Sequence, residues 1–227
     1  MEIQPTVYYI WAITGLIALL LLFINARIRK FDPLSQPKGI VLVCMMAVQA
    51  IENIVTEKTN KDLARKLSPY IATVGLYIFI SNISGLLAME SPTGNYSVTL
   101  TLAAITCVLI EVFSAKYRGA KGYIKSWFEP FIPFVLINVI SKISTLASLS
   151  LRLFGNIIAG SILMKVIYAM LSSISSAIPV LHGFNLFGVI IAPVLHFYFD
   201  LFSGAMQTYI FVILSVSFIG KELPGNE

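Results

Sequence analysis

Two apolar stretches in the second half of the chain constrain its fold more than any other feature. They run from Pro133 to Ser176 and from Phe184 to Gly220, and the second contains Pro193. A helix that crosses a bilayer perpendicularly needs about 20 apolar residues, so each stretch has roughly twice the necessary length. Each is therefore either a short re-entrant or in-plane piece followed by a span, or one long helix that crosses at a steep tilt.

The composition excludes a soluble domain of this size. Hydrophobic residues make up 57% of the 227 residues and charged residues only 12%, whereas ordinary soluble domains are about 25% charged. We therefore predict an all-α polytopic membrane protein in which residues 1–227 form a single membrane domain.

The sequence lacks the motifs of the common enzyme classes. It has no phosphate-binding loop, no HExxH motif, no glycine-rich dinucleotide turn and no usable catalytic-triad spacing. Its two cysteines, Cys44 and Cys107, lie in separate apolar segments without metal-ligand spacing. We expect no metal, no cofactor and no enzymatic activity in this chain, which leaves charge movement across a membrane.

Clusters of basic residues predict the topology. They lie at residues 27–38, 58–66 and 116–125 and at Lys221. By the positive-inside rule all of them face the cytoplasm, so the net charge of +5 reflects topology and not nucleic-acid binding. With the turn at 175–185 outside, this gives about five net crossings, an outside N-terminus and a cytoplasmic C-terminus.

The other spans follow from segment length. We predict spans at 7–26, 69–89 and 98–115, and long tilted helices at 133–176 and 184–220. The loop at residues 90–96 is then outside.

The apolar segment at residues 40–56 has two interpretations. It is long enough for a further span. However, one polar stripe on a helix would be formed by Gln49, Glu52, Asn53 and Thr56. A crossing there would also place the basic cluster at 58–66 outside. We therefore predict an amphipathic helix that lies in the cytoplasmic interface.

An arginine lies within the first long stretch. A charge at the bilayer centre costs roughly 2.5–3.5 kcal/mol on insertion scales, so Arg152 needs compensation. Ser144, Ser148 and Asn156 recur with it every four residues and share its helix face. Small residues keep the neighbouring surface low, as close helix contacts require; they are Gly155, Ala159 and Gly160.

A second polar seam follows in the last stretch. One helix face there carries His196, Asp200, Ser203, Gly204 and Gln207. Two polar seams at membrane depth indicate hydrated cavities or one ion pathway. An arginine does not release its proton, so it suits a barrier in such a pathway. Alternatively, Arg152 and Asp200 form a buried ion pair that only locks two helices together.

The motifs resemble those of one family. The sequence SLSLRLFGNIIAG at 148–160, with FYFDLFSGAMQTYIFVIL at 197–214, is similar to subunit a of the F-type (F1Fo) ATP synthase. The resemblance implies a non-catalytic stator subunit whose partners are the c-ring, the subunit b stalk, the rest of the complex and the lipid bilayer. It also implies an energy-transducing membrane, and the lack of a transit peptide favours a bacterial plasma membrane.

The resemblance also implies a mechanism. Arg152 faces the carboxylate of each c-subunit in turn and separates two offset aqueous half-channels. Protons then move with the rotating ring from one half-channel to the other, and ion flow drives rotation and ATP synthesis. Gly155, Ala159 and Gly160 form the close contact with the ring.

The half-channel residues are carried over position by position. Asn156 and Gln207 match polar positions of the outer half-channel, and Ser148 matches a position linked to the cytoplasmic exit. Asp200, with His196 one turn before it, replaces a His or Glu and is the expected outer carboxylate.

Two positions depart from the family pattern. Ser161 replaces a Glu or His, and Asn138 replaces an acid on the exit side. Sodium-coupled members depart in the same region, so the coupling ion is left open. A stand-alone secondary transporter is a further alternative, although neither an internal repeat nor an even number of crossings supports one.

Overall fold

The fold is known from a computed structural model, which describes residues 5–31, 36–87, 89–128, 131, 133–177 and 185–222. Helices dominate this part of the chain and it contains no strand. The helices are α1 (Pro5–Arg29), α2 (Ile40–Lys58), α3 (Lys61–Ile83), α4 (Tyr96–Phe128), α5 (Phe134–Ser176), α6 (Leu186–His196) and α7 (Ser203–Lys221). The predicted all-α membrane fold is confirmed.

Shorter helical pieces complete the chain trace. The 3₁₀ turns Ser84–Leu87 and Pro92–Gly94 follow α3, and a π-helical segment, Phe197–Phe202, joins α6 to α7 without a break. Within the described ranges, six helical segments are long and apolar enough to cross a membrane. The last of these combines most of α6 with the π segment and α7.

The long apolar stretch after Pro133 is one unbroken helix. α5 has 43 residues, which corresponds to about 65 Å at 1.5 Å per residue. That is about twice the thickness of a hydrocarbon core, so a bilayer accommodates α5 only if it is steeply tilted or extends beyond the core. Of the two interpretations of this stretch, the structure contains the long helix. Its tilt stays a prediction.

The helix around the predicted span at 69–89 is shifted towards the N-terminus. α3 begins at Lys61, directly after Asn60, and Pro69 lies inside it. Burial of Leu63 and Leu67 stabilises the turns before the proline. The helix ends at Ile83, where the polar sequence around Ser84 and Gly85 forms a 3₁₀ turn.

The predicted interfacial helix is most deeply buried near its C-terminal end. Val55 of α2 is fully buried, with Ile51 and Ile54 packed nearby, whereas most large apolar residues of its first half are exposed. α2 also belongs to the six helices with span-like length and hydropathy. Its interfacial position stays a prediction.

One end of the bundle collects the basic segments. The core cluster there joins α2, α3, α4 and α7. Arg118 pairs with Glu222 at 3.2 Å, and Ser114 donates a hydrogen bond to the same carboxylate at 2.6 Å. Nearby, α4 bends at Gly119, whose φ of 72° favours glycine. The segments at 58–66, 116–125 and Lys221 therefore lie at one end, and the membrane side of that end stays a prediction.

Candidate functional site

Arg152 lies on a face of α5 that the chain leaves open. A neighbouring face of α5 packs into the bundle through Leu149, Ser150 and Leu153, which are at most 1% exposed. Arg152 is exposed, and its Nη2 donates a hydrogen bond to Ser148 Oγ at 3.3 Å. Among the described residues, no carboxylate forms an ion pair with it. Ser148 and Arg152 are thus joined by a hydrogen bond on their common helix face, and among the described residues no ion pair locks Arg152 to Asp200.

The surface beside the arginine is open in the part of the chain that the structure describes. Gly155 and Ala159 are exposed, and a Cβ atom placed on Gly155 or Gly160 would meet no described heavy atom within 4 Å beyond its own turn of the helix. The chain thus leaves room for another helix to approach the backbone of α5 next to Arg152.

Asp200 belongs to a chain of three side chains from α5, α6 and the π segment. His196 Nδ1 lies 2.7 Å from Asp200 Oδ2, and its Nε2 lies 3.1 Å from Tyr168 Oη. A neutral histidine protonated on Nδ1 makes both bonds, because Nδ1 then donates to the carboxylate and Nε2 accepts from the phenol. The side chains of His196 and Asp200 are 32% and 21% exposed. A cavity of about 300 Å³, lined partly by Tyr168 and His196, adjoins these three hydrogen-bonded side chains, which we call the Asp200 chain.

Two local features position Asp200. It lies in the π-helical segment Phe197–Phe202, and π-bulges occur frequently at functional sites because they alter the helical register. The carboxylate also contacts the turn after α3, where a Cβ atom on Gly85 would lie 3.2 Å from Oδ2. Because glycine has no Cβ atom, the Asp200 carboxylate can approach the backbone of Gly85 this closely.

The two polar seams meet next to Asp200. Ser203 Oγ donates a hydrogen bond to Asn156 Oδ1 at 2.9 Å, which joins α7 to α5. Gln207 is 7% exposed, and its buried Nε2 has no hydrogen-bond partner in the part of the chain that the structure describes. A buried amide of this kind requires water or a partner group. The structure therefore brings Asn156 and Ser203 together and leaves Gln207 with a free donor.

Two predicted positions lie apart from this group. Ser161 is exposed and bonds to the carbonyl of Ile158 in its own helix at 2.9 Å. Asn138 donates a hydrogen bond to the backbone carbonyl of Trp127 at 2.9 Å. Within the described residues, neither contacts the Asp200 chain through a hydrogen bond.

A buried polar patch beside the site was not predicted. Asn82 Nδ2 donates to Gly204 O at 3.3 Å, and Thr93 Oγ1 donates to Asn82 Oδ1 at 2.9 Å. Asn82 and Thr93 are at most 2% exposed, and Ser81 is fully buried beside them. The signal was the sequence SNISG, which interrupts an otherwise apolar run. Tyr168 gave no comparable signal.

Comparison with known protein families shows to which family the chain with these side chains is related. The model of the family described as "ATP synthase A chain" matches residues 7–220. The chain belongs to the ATP synthase A chain family. This match confirms the resemblance predicted from the two motifs, and it covers every candidate site residue of the chain.

Relatives of the ATP synthase A chain family align at modest identity. A protein named ATP synthase subunit a from Desulforamulus reducens is 31% identical over 168 residues, which cover 74% of this chain and 61% of that relative. One from Mycoplasma genitalium is 30% identical, with 88% of this chain and 73% of the relative covered. One from Mycoplasmoides gallisepticum is 27% identical, with 96% and 78% covered.

Proposed function

We propose that this chain is the ion-translocating stator subunit of an F-type ATP synthase. Arg152 carries the proposal: it is an exposed cation without a carboxylate partner among the described residues, on a flat helix face between polar seams. A cation at membrane depth needs a counter-charge. A ring of c-subunits, each with a carboxylate, supplies that charge from outside the chain and fits the open surface at Gly155 and Ala159.

The guanidinium of Arg152 acts as an electrostatic barrier. It remains protonated even when desolvated, so it attracts each ring carboxylate and favours release of the proton that the carboxylate carries. Because it does not pass on a proton of its own, it blocks a direct leak between the two sides. The membrane potential, worth about 2.3 kcal/mol per charge per 100 mV, is thereby coupled to ring rotation.

The outer half-channel in this proposal is the polar group around Asp200. Ions reach the ring past Tyr168, His196 and Asp200, and Asn156 and Gln207 complete the path. The hydrogen bonds of His196 to both neighbours support a relay, and the free donor of Gln207 supports a hydrated interior. Ser148 lies on the cytoplasmic side of Arg152, and Ser161 contributes only a weak polar group.

The proposal includes an orientation and partners. The basic segments collected at one end favour a cytoplasmic C-terminus, an outside N-terminus and an interfacial α2. The partners are the c-ring, the subunit b stalk and the remainder of the complex. The membrane is the bacterial plasma membrane.

Ion pumping by the assembled complex tests this proposal. Vesicles with the complex should acidify on addition of ATP, whereas vesicles with this chain alone should not transport ions. The measurement uses a pH dye, without sodium and with millimolar sodium. Acidification without sodium identifies the proton, and a strict sodium requirement identifies the sodium-coupled version of the same subunit. Transport by the isolated chain would instead indicate a stand-alone transporter.

A further inference from the structure

A second charged cluster joins α4 to α5 on the other side of Arg152. Lys142 Nζ lies 2.5 Å from Glu111 Oε2, and Tyr123 Oη donates a hydrogen bond to the same oxygen at 2.8 Å. The ammonium also lies 4.0 Å from the centroid of the Trp127 ring, within the range of a cation–π contact. We call Glu111, Lys142, Tyr123 and Trp127 the Glu111 cluster.

The Glu111 cluster and the Asp200 chain lie on opposite sides of Arg152 along α5. Lys142 precedes Arg152 by ten residues, about 15 Å along the helix. Asp200 lies near the region just after Arg152, because its neighbour Ser203 bonds to Asn156. Between Lys142 and Arg152, α5 carries the hydroxyl side chains Ser144, Thr145, Ser148 and Ser150.

We propose that Glu111 is the carboxylate through which ions pass between the ring and the cytoplasm. Lys142 and Tyr123 are positioning residues for it. This inference rests on the proposed function. Asn138 lies on α5 near this cluster, and its amide donates to the backbone of Trp127. Asn138 and Lys142 are one helical turn apart, so Glu111 brings a carboxylate from α4 to the same region.

The geometry suits reversible proton transfer. Both hydrogen bonds fall on Oε2, and in the described part of the chain Oε1 has none. The side chain of Glu111 is 32% exposed, so the chain does not bury the carboxylate fully. Burial, reinforced by the bond to Glu111, raises the pKa of Tyr123, which keeps the phenol protonated as a donor.

The proton balance of the step is simple. During synthesis, a proton leaves a ring carboxylic acid, passes along water to Glu111 Oε1 and is then released to cytoplasmic water. The ring carboxylate is left ionised for Arg152, and Glu111 returns to its ionised state beside Lys142. For a sodium-coupled complex, the same oxygen would bind the cation in passing.

Variants of Glu111 separate this role from a purely structural ion pair. The chain offers a matched control in Glu222, which is also paired with a basic residue, Arg118, and is 28% exposed. We would measure passive ion conduction in vesicles stripped of the soluble sector, normalised to the assembled complex. Glu111→Gln should lower conduction at least about tenfold. The loss should be smaller than for a relay group without nearby water, because water partly replaces the carboxylate. Glu111→Asp should retain most of the conduction, and Glu222→Gln should leave it unchanged.

The double variant Glu111→Gln with Lys142→Gln decides between the two interpretations. It removes both charges yet keeps a neutral hydrogen-bonding pair, so a structural lock would be restored and conduction with it. The proposal predicts that conduction stays low in assembled complexes. Conduction at the wild-type level in Glu111→Gln or in the double variant would overturn the proposal. Failure of the proposed function would appear separately, as vesicles with the wild-type complex that do not conduct.

Discussion

Substitution of Asp200 by asparagine should slow ion pumping strongly while leaving the fold intact. Asparagine has nearly the same shape and can still accept a hydrogen bond from His196 Nδ1, which lies 2.7 Å from the carboxylate. In the proposed function, the substitution removes the group that binds and releases a proton. A positioned proton-transfer group contributes about 100-fold to 10,000-fold to a rate. Because His196 remains as a second titratable group in direct contact, we expect the lower end, about 100-fold or ~2.7 kcal/mol.

A double-mutant cycle with His196→Ala makes this prediction sharper. Side chains in direct contact give non-additive effects, whereas independent sites give additive ones. ATP-driven pumping, normalised to assembled complex, should therefore fall less in the double variant than the product of the two single effects. Pumping by Asp200→Asn within about twofold of wild type would refute the relay, since a loss below ~0.5 kcal/mol is the size of an ordinary surface substitution.

The remaining predictions concern packing and hydrogen bonds. Gly204→Ala should destabilise the protein by about 1–3 kcal/mol, measured by thermal unfolding in detergent, because the new Cβ would lie 2.8 Å from Asn82 Cβ. Gly155→Ala should change stability by less than about 0.5 kcal/mol, since beyond its own helical turn no described residue lies within 4 Å of its Cβ position; a large loss would show that this face is not open. Ser203→Ala should slow pumping about fivefold, which corresponds to one neutral hydrogen bond of ~1 kcal/mol, because it removes the bond to Asn156. An unchanged pumping rate would show that transport does not need this hydrogen bond.

The overall fold could be predicted because membrane helices are encoded locally. Apolar length gave the long helix at 133–176, which α5 matches closely at Phe134–Ser176. Packing sets the limits of the helices. A span was predicted at 69–89, and the buried residues before Pro69 extend the helix that contains it back to Lys61.

The candidate site was only partly predictable. Regular spacing found Arg152 with Ser148, and His196 with Asp200, because each pair is one turn apart on its own helix. Pairings between helices, such as Tyr168 with His196 or Lys142 with Glu111, join residues far apart in sequence. No single-sequence pattern specifies them. The π segment around Asp200 was also missed, because its residues carry no distinct propensity.

The central claim is that Arg152 is an essential charge facing a ring of carboxylates. The most direct test is ATP-driven ion pumping by assembled complexes with Arg152→Ala. Lys165→Ala is the matched control, because Lys165 is another exposed cation on α5. We predict that Arg152→Ala abolishes pumping while ATP hydrolysis by the soluble sector persists, and that Lys165→Ala pumps like wild type. Wild-type pumping by Arg152→Ala would contradict the account and make the arginine a structural residue.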